Sequence, residues 1–180
     1  MTGRDLTAVR RERAPGNPAN FRTRVLDSDP VSIVIASIDI AAAQQEVWDV
    51  VMDPDRINDW VTIVQSIDDV DAGPLRPGYR MDQTLCIRGI SFKVHWTLKY
   101  LEAPHYARWE GRGPARSKAV IEDRLSTRNG VTRFAYQNEF RTPLGALGAV
   151  ASRAFVGGIP EKEAKASLQR LKQMLERPSG

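Results

Sequence analysis

AVIEDRLSTRNGVTRFAYQNEF, residues Ala119 to Phe140, reads as two strands joined at one turn, and the register of that turn decides the fold. Asn129-Gly130 is the strongest hairpin signal in the chain, because a two-residue turn needs left-handed backbone that Asn and Gly adopt at little cost. With that pair at the centre, Leu125 lies opposite Phe134, Asp123 opposite Tyr136, Ile121 opposite Asn138 and Ala119 opposite Phe140. Opposed residues share a face. This face is apolar with a few polar groups, whereas Glu122, Arg124, Arg133 and Glu139 fall on the other.

Two further loops extend the same face upstream. Arg88-Gly89-Ile90-Ser91, read as a turn with Gly at its first central position, sets Ile87 opposite Phe92, Leu85 opposite Val94, Gln83 opposite Trp96, Met81 opposite Leu98 and Tyr79 opposite Tyr100. The turn Glu102-Ala103-Pro104-His105 carries the face on through Ala107, Trp109 and Gly111. To keep that parity, the connection around Gly113-Pro114-Ala115 must hold an odd number of residues or a bulge. The opposite face carries Arg80, Asp82, Arg88, Lys93, His95, Lys99, Arg108, Glu110, Arg112 and Lys118, the pattern of an antiparallel sheet wet on one side. Basic residues outnumber acidic ones there.

Val31 to Ile40 (VSIVIASIDI) is dense in β-branched residues and reads as the first strand. AAAQQEVWDVVM follows as a short helix with Val47, Trp48, Val50 and Val51 inward. Asp53-Pro54 starts a second short helix, an N-cap carboxylate followed by Pro at the first helical position, which brings Ile57, Trp60 and Val61 to the core. A strand from Ile63 to Val70 comes next. Residues 1–30, rich in Arg, Asp, Asn and Pro, read as a flexible arm or as one that packs on a partner, leaving 31–178 as a single ligand-binding domain.

An oily sheet face needs a cover, and Leu144 to Glu176 is the long helical pattern available to supply it. Leu144, Leu147, Val150, Ala151, Ala154 and Phe155 form one stripe, and Ala164, Leu168, Leu171 and Leu175 form another, offset by about 120°. The expectation is two helical segments hinged at Gly157-Gly158-Ile159-Pro160, the first guarding a pocket entrance and the second closing the sheet.

A chain of 180 residues, 42% hydrophobic and 27% charged, suits one globular domain with a real core. No apolar run approaches the ~20 residues of a membrane span, and no apolar segment follows Arg4, Arg10, Arg11 and Arg13 as a secretory signal requires. A lone Cys86 fits a reducing cytoplasm. With two histidines and one cysteine, none at ligand spacing, neither a metal site nor a cofactor is expected. A net charge of +4 is mild, and the aromatics able to stack bases point to the wrong face for nucleic acid.

Ile40 to Trp48 (IAAAQQEVW), Met52 to Val61 (MDPDRINDWV) and Leu168 to Glu176 (LQRLKQMLE) together resemble the START-like, or SRPBCC, helix-grip superfamily, which includes polyketide cyclases and coenzyme Q-binding proteins. The resemblance covers Val31 to Glu176. It implies an α+β helix-grip fold, in which two short helices and a long C-terminal helix close a strongly curved antiparallel sheet of six or seven strands around an apolar cavity. It does not imply one activity. No catalytic motif of the superfamily matches, so none of its catalytic residues is carried over.

The inner face then supplies candidate ligand-binding residues: Met81, Leu85, Phe92, Val94, Trp96, Leu98, Trp109, Ile121, Phe134 and Phe140, with Leu147 from the entrance segment and the polar Tyr79, Gln83, Tyr100 and Asn138. A stripe of this kind also suits a filled core; the family resemblance argues for a cavity. Asp123 is the carboxylate on this face, and Tyr136 faces it. Burial would raise the carboxyl's pKa toward neutrality for acid/base work, with the tyrosine polarising a carbonyl. A plain buried Asp–Tyr hydrogen bond is the alternative, and partial exposure of Asp123 is another. His95, His105 and Cys86 belong to no reactive constellation.

Three functions follow: a carrier or binding protein for a lipid, quinone or polyketide-like molecule; a polyketide cyclase or dehydratase using Asp123 and Tyr136; and an interaction module with a filled core. The partner classes are the hydrophobic ligand and, at the basic outer sheet, an acidic protein such as an acyl carrier. The chain is expected as a monomer or homodimer.

Overall fold

The computed structural model describes residues 31–141 and 159–177. In chain order they form strand β1 (Val31–Ile40), helices α1 (Gln44–Val51) and α2 (Ile57–Trp60), strands β2 (Val64–Asp68), β3 (Arg80–Ile87), β4 (Ile90–Glu102), β5 (Tyr106–Arg112), β6 (Lys118–Arg128) and β7 (Val131–Arg141), and helix α3 (Ile159–Leu175). The seven strands make one antiparallel, curled sheet in the order β1-β7-β6-β5-β4-β3-β2. This is the α+β helix-grip architecture.

The Asn129-Gly130 turn takes left-handed backbone at both residues, with φ of 53° and 77°. Its register is the expected one, with Leu125 on Phe134, Asp123 on Tyr136, Ile121 on Asn138 and Ala119 on Phe140. Between Arg112 and Lys118, which pair, lie five residues, the odd number that keeps one face inward.

The β3–β4 hairpin departs from expectation in register. Its central residues are Arg88 and Gly89, with φ of 54° and 75°, and Ile87 pairs with Ile90, Leu85 with Phe92, Gln83 with Val94 and Met81 with Trp96. The partner of each β3 residue has moved by two positions. Side chains alternate with period two, so every residue keeps its face. A second departure does change a face. The β4–β5 ladder shifts between Leu98 and Tyr100, with Lys99 as the extra residue of a bulge. Beyond it Tyr100 is 49% exposed, and Leu101 turns inward opposite Ala107. Tyr100 therefore does not belong to the inner face.

The short helices follow their sequence signals. Val47, Trp48, Val50 and Val51 of α1 are buried, and the Ala43 N–H donates to the Glu46 carboxylate at 3.0 Å. Asp53 accepts from the Asp55 N–H, and Pro54 opens a single 3₁₀ turn ahead of α2. Helix α3 packs on β1 and α2, burying Leu168 and Leu171. Polar ties fix its middle and its C-terminal end. The Thr62 N–H donates to Ser167 Oγ at 3.0 Å, Lys172 Nζ to the Asp39 carbonyl, and the Ala41 N–H to Glu176 Oε1 at 2.6 Å. The arm expected over 1–30, the first helical segment expected from Leu144 and the Gly157-Gly158 part of the expected hinge lie outside the described residues. Among those described, no helix is long and apolar enough to cross a membrane.

Candidate functional site

Alternation on a curled sheet places one side chain in two on the concave side, and the helices close that side without filling it. A cavity of about 130 Å³ remains. One water needs roughly 10–15 Å³ on such a measure, so the space left among the described residues far exceeds a packing defect.

Of the residues expected from sequence, Met81, Gln83, Leu85, Trp96, Trp109, Ile121, Asp123, Tyr136, Asn138 and Phe140 line the cavity. Tyr79, Val94, Leu98 and Phe134 are buried in the surrounding core instead: Tyr79 meets Trp109 edge-on at 6.4 Å, and Phe134 meets Trp60 at 6.1 Å. Phe92 is half-buried against that core, away from the cavity wall. Tyr100 is on the outside, and Leu147 lies outside the described residues.

Sequence reasoning left out the rest of the wall. Ser32 and Val34 come from β1, opposite Phe140 and Asn138, as their inward alternation on an edge strand allows. Val51, Met52, Ile57, Trp60, Val61 and Ile63 come from the α1–α2 region, and Ile87 ends β3. Pro160, Glu163, Ala164, Ser167 and Leu168 come from α3. The signal was present, since Ile57, Trp60, Ala164 and Leu168 read as inward residues, but which inward residues touch core and which touch empty space depends on the curvature of the sheet.

Asp123 sits between Ala107 and Tyr136 on neighbouring strands and is only 5% exposed. Its carboxyl makes no hydrogen bond to a described residue. The Asp–Tyr bond that would satisfy both groups is not formed; the Tyr136 oxygen instead accepts from Asn138 Nδ2 at 3.0 Å, which leaves the hydroxyl proton to donate elsewhere. Burial, and secondarily the Glu122 charge, push the Asp123 carboxyl from the ordinary 3.8 up to about 7. Burial and then the Asp123 charge drive the Tyr136 hydroxyl well above its usual range, so it stays protonated and able to donate.

Other polar groups converge on the same wall. Trp96 Nε1 donates to Gln83 Oε1 at 2.9 Å. Thr62 Oγ1 donates to the Glu163 carboxylate at 2.8 Å. The Trp60 indole N–H and Asn138 Oδ1, on two lining side chains, are buried without a hydrogen-bond partner among the described residues. A buried donor and a buried acceptor left unpaired are costly. The described wall holds two carboxyl groups, Asp123 and Glu163, and no Lys, Arg or His. Among the described residues no cluster of His, Cys, Asp and Glu could hold a metal. The arrangement can enclose an apolar body, offer it a few hydrogen bonds, and exchange a proton with it near neutral pH.

The fold is similar to that of the Zhui aromatase/cyclase from Streptomyces sp. R1128, with a TM-score of 0.69 at 16% identity over 84% of this chain and 99% of that one. TTHA0849 from Thermus thermophilus superposes with a TM-score of 0.67 at 15% identity over 83% of this chain and 100% of its own. Ginseng major latex-like protein 151 from Panax ginseng gives 0.60 at 8% identity over 82% and 99%. These identities show a shared fold and no more. No curated protein matches the chain. A family model described as polyketide cyclase / dehydrase and lipid transport matches residues 31–176, and the chain belongs to that family, within the START-like superfamily.

Proposed function

We propose that this protein binds a hydrophobic small molecule, a lipid, quinone or polyketide-like compound, and acts as its carrier within a single ligand-binding domain, residues 31–178. The observation that carries this reading is the 130 Å³ space left inside an otherwise packed core, walled by aliphatic and aromatic side chains with a few polar groups. The lone Cys86 suits work in a reducing cytoplasm. Native mass spectrometry of the purified full chain tests the reading. A bound species that is released on denaturation and extracts into organic solvent is expected. Repeated preparations that show only the bare chain, and take up no apolar dye, would overturn it.

A second reading is favoured by the state of Asp123. A carboxyl near neutrality with no hydrogen bond to a described residue is available to a ligand as general acid or base. In a cyclase or dehydratase of the polyketide type, Asp123 would take a proton from the carbon beside a carbonyl while the Tyr136 hydroxyl donates to that carbonyl's oxygen. An acidic carrier protein presenting such a substrate would meet the basic outer sheet. Under this reading Asp123→Asn binds ligand as the parent does and turns nothing over; an equally active variant removes Asp123 from the chemistry.

A further inference from the structure

Gln83 interrupts the apolar alternation of β3. It shares the inner face with Met81 and Leu85, lines the cavity and is only 7% exposed. The ladder sets Met81 opposite Trp96 and Gln83 opposite Val94. Gln83 and Trp96 are therefore diagonal neighbours, a separation that long side chains can span. The Trp96 ring lies over Gly111, which has no side chain to displace it. From there its Nε1 donates to Gln83 Oε1 at 2.9 Å in a buried bond.

That bond fixes the direction of the amide. An indole nitrogen can only donate, so Gln83 must turn its oxygen to Trp96 and its nitrogen away. Nε2 then keeps two N–H donors that meet no acceptor on a described residue, at a position facing the cavity. Buried donors left unpaired are costly. The described wall also decides which acceptor suits them. It carries Asp123 and Glu163 and no Lys, Arg or His, so an anion brought inside would meet like charge and no counter-ion. A neutral oxygen gains the N–H bonds without that cost.

We propose that Gln83 is a specificity-determining residue of the cavity, whose amide nitrogen takes the neutral carbonyl oxygen of the ligand. Trp96 is a positioning residue that acts on this oxygen through Gln83. The proposal rests on the cavity-binding reading and narrows the ligand to uncharged molecules with a ketone, quinone or ester oxygen. Tyr136, four places from β3 in the sheet, has a hydroxyl proton left for a second such oxygen.

The test displaces cis-parinaric acid, whose length leaves its carboxylate free to stay in water, from the full chain at neutral pH. The competitors are para-butylacetophenone, para-butylethylbenzene and para-butylbenzoate, alike in size and differing at one group. One buried hydrogen bond predicts that the ketone binds about tenfold more tightly than the hydrocarbon, and the anion is expected to bind more weakly than the ketone. In Gln83→Met the ketone-to-hydrocarbon ratio falls to near one. The ratio is taken within each variant, so a general loss of affinity from repacking cancels. Trp96→Phe lowers the ratio when Gln83 is present and leaves it unchanged in Gln83→Met. The parent alone gives a further readout, since the carbonyl stretch of the bound ketone should lie at lower frequency than in hexane. A parent ratio near one overturns the proposal while the cavity reading stands, because Nε2 then serves water. A ratio that persists in Gln83→Met, a carbonyl stretch at its hexane position, or benzoate binding as tightly as the ketone overturns it too. A ratio that Trp96→Phe leaves at the parent value removes Trp96 from the positioning role. If neither parinaric acid nor any competitor binds, the cavity reading fails and this inference falls with it.

Discussion

At the scale of the residue, Asp123 ties the protein's stability to pH between about 4 and 7. Its carboxyl titrates near 7 in the folded chain and near 3.8 unfolded, because burial and then Glu122 disfavour the charge. The native state therefore holds a proton that the unfolded chain gives up, and stability falls as pH rises between those values. The contribution is fully present below about pH 4 and fully lost above about pH 7, a difference on the order of 4 kcal/mol. Asp123→Asn removes this contribution. The variant should match the parent near pH 4 in urea unfolding, exceed it by a growing margin toward pH 7, and hold that margin above. A margin independent of pH would place the carboxyl in water. Sequence was sufficient to put Asp123 inside and opposite Tyr136, because the Asn-Gly turn left a single register. It was not sufficient to give the hydrogen bonding. Whether Tyr136 meets Asp123 or Asn138 depends on rotamers, and those depend on packing from elements distant in sequence.

At the scale of the element, period-two alternation explains both what the strands revealed and what they concealed. The β3–β4 register lies two residues from expectation yet leaves every face intact, so the inner residues of β3 stayed legible despite the wrong partners. The Lys99 bulge had no sequence mark as clear as Gly or Pro, and the single extra residue turned Tyr100 out and Leu101 in. Gly111 shows the same coupling between strands. It lies opposite Trp96, and a Cβ added there would stand 2.7 Å from the Trp96 ring and 2.7 Å from Val94. Trp96 lines the cavity and is held by Gln83, so it cannot give way freely. Gly111→Ala is thus expected to cost about 1–3 kcal/mol through overpacking and to push the indole toward the ligand space. Urea midpoints read the first effect, and weaker binding of an apolar probe reads the second. A variant as stable as the parent would mean that β5 shifts away from β4 to make room.

At the scale of the whole molecule, the cavity is a cost that the fold carries. An empty space of 130 Å³ forgoes about 3 kcal/mol at ~24 cal/mol per Å³, a large part of the margin of a small domain. The sheet, its faces and the closing helix are legible in the chain because each is written in local periodicity. The cavity is not, because emptiness arises from the curvature of seven strands and from the distance at which α3 is held. The Thr62–Ser167, Asp39–Lys172 and Ala41–Glu176 ties set that distance between residues more than 100 apart in sequence. If the space exists for a ligand, filling it must exchange function for stability. Ala164, on the cavity side of α3, is the position for this. Leu propagates a helix nearly as well as Ala, so Ala164→Leu changes cavity volume with little effect on the backbone. The variant should unfold at higher urea than the parent and lose both the co-purified species and the uptake of parinaric acid. A variant that is destabilised and still binds would mean that the wall at α3 yields outward, and that the ligand space is set by the sheet rather than by the helix that closes it.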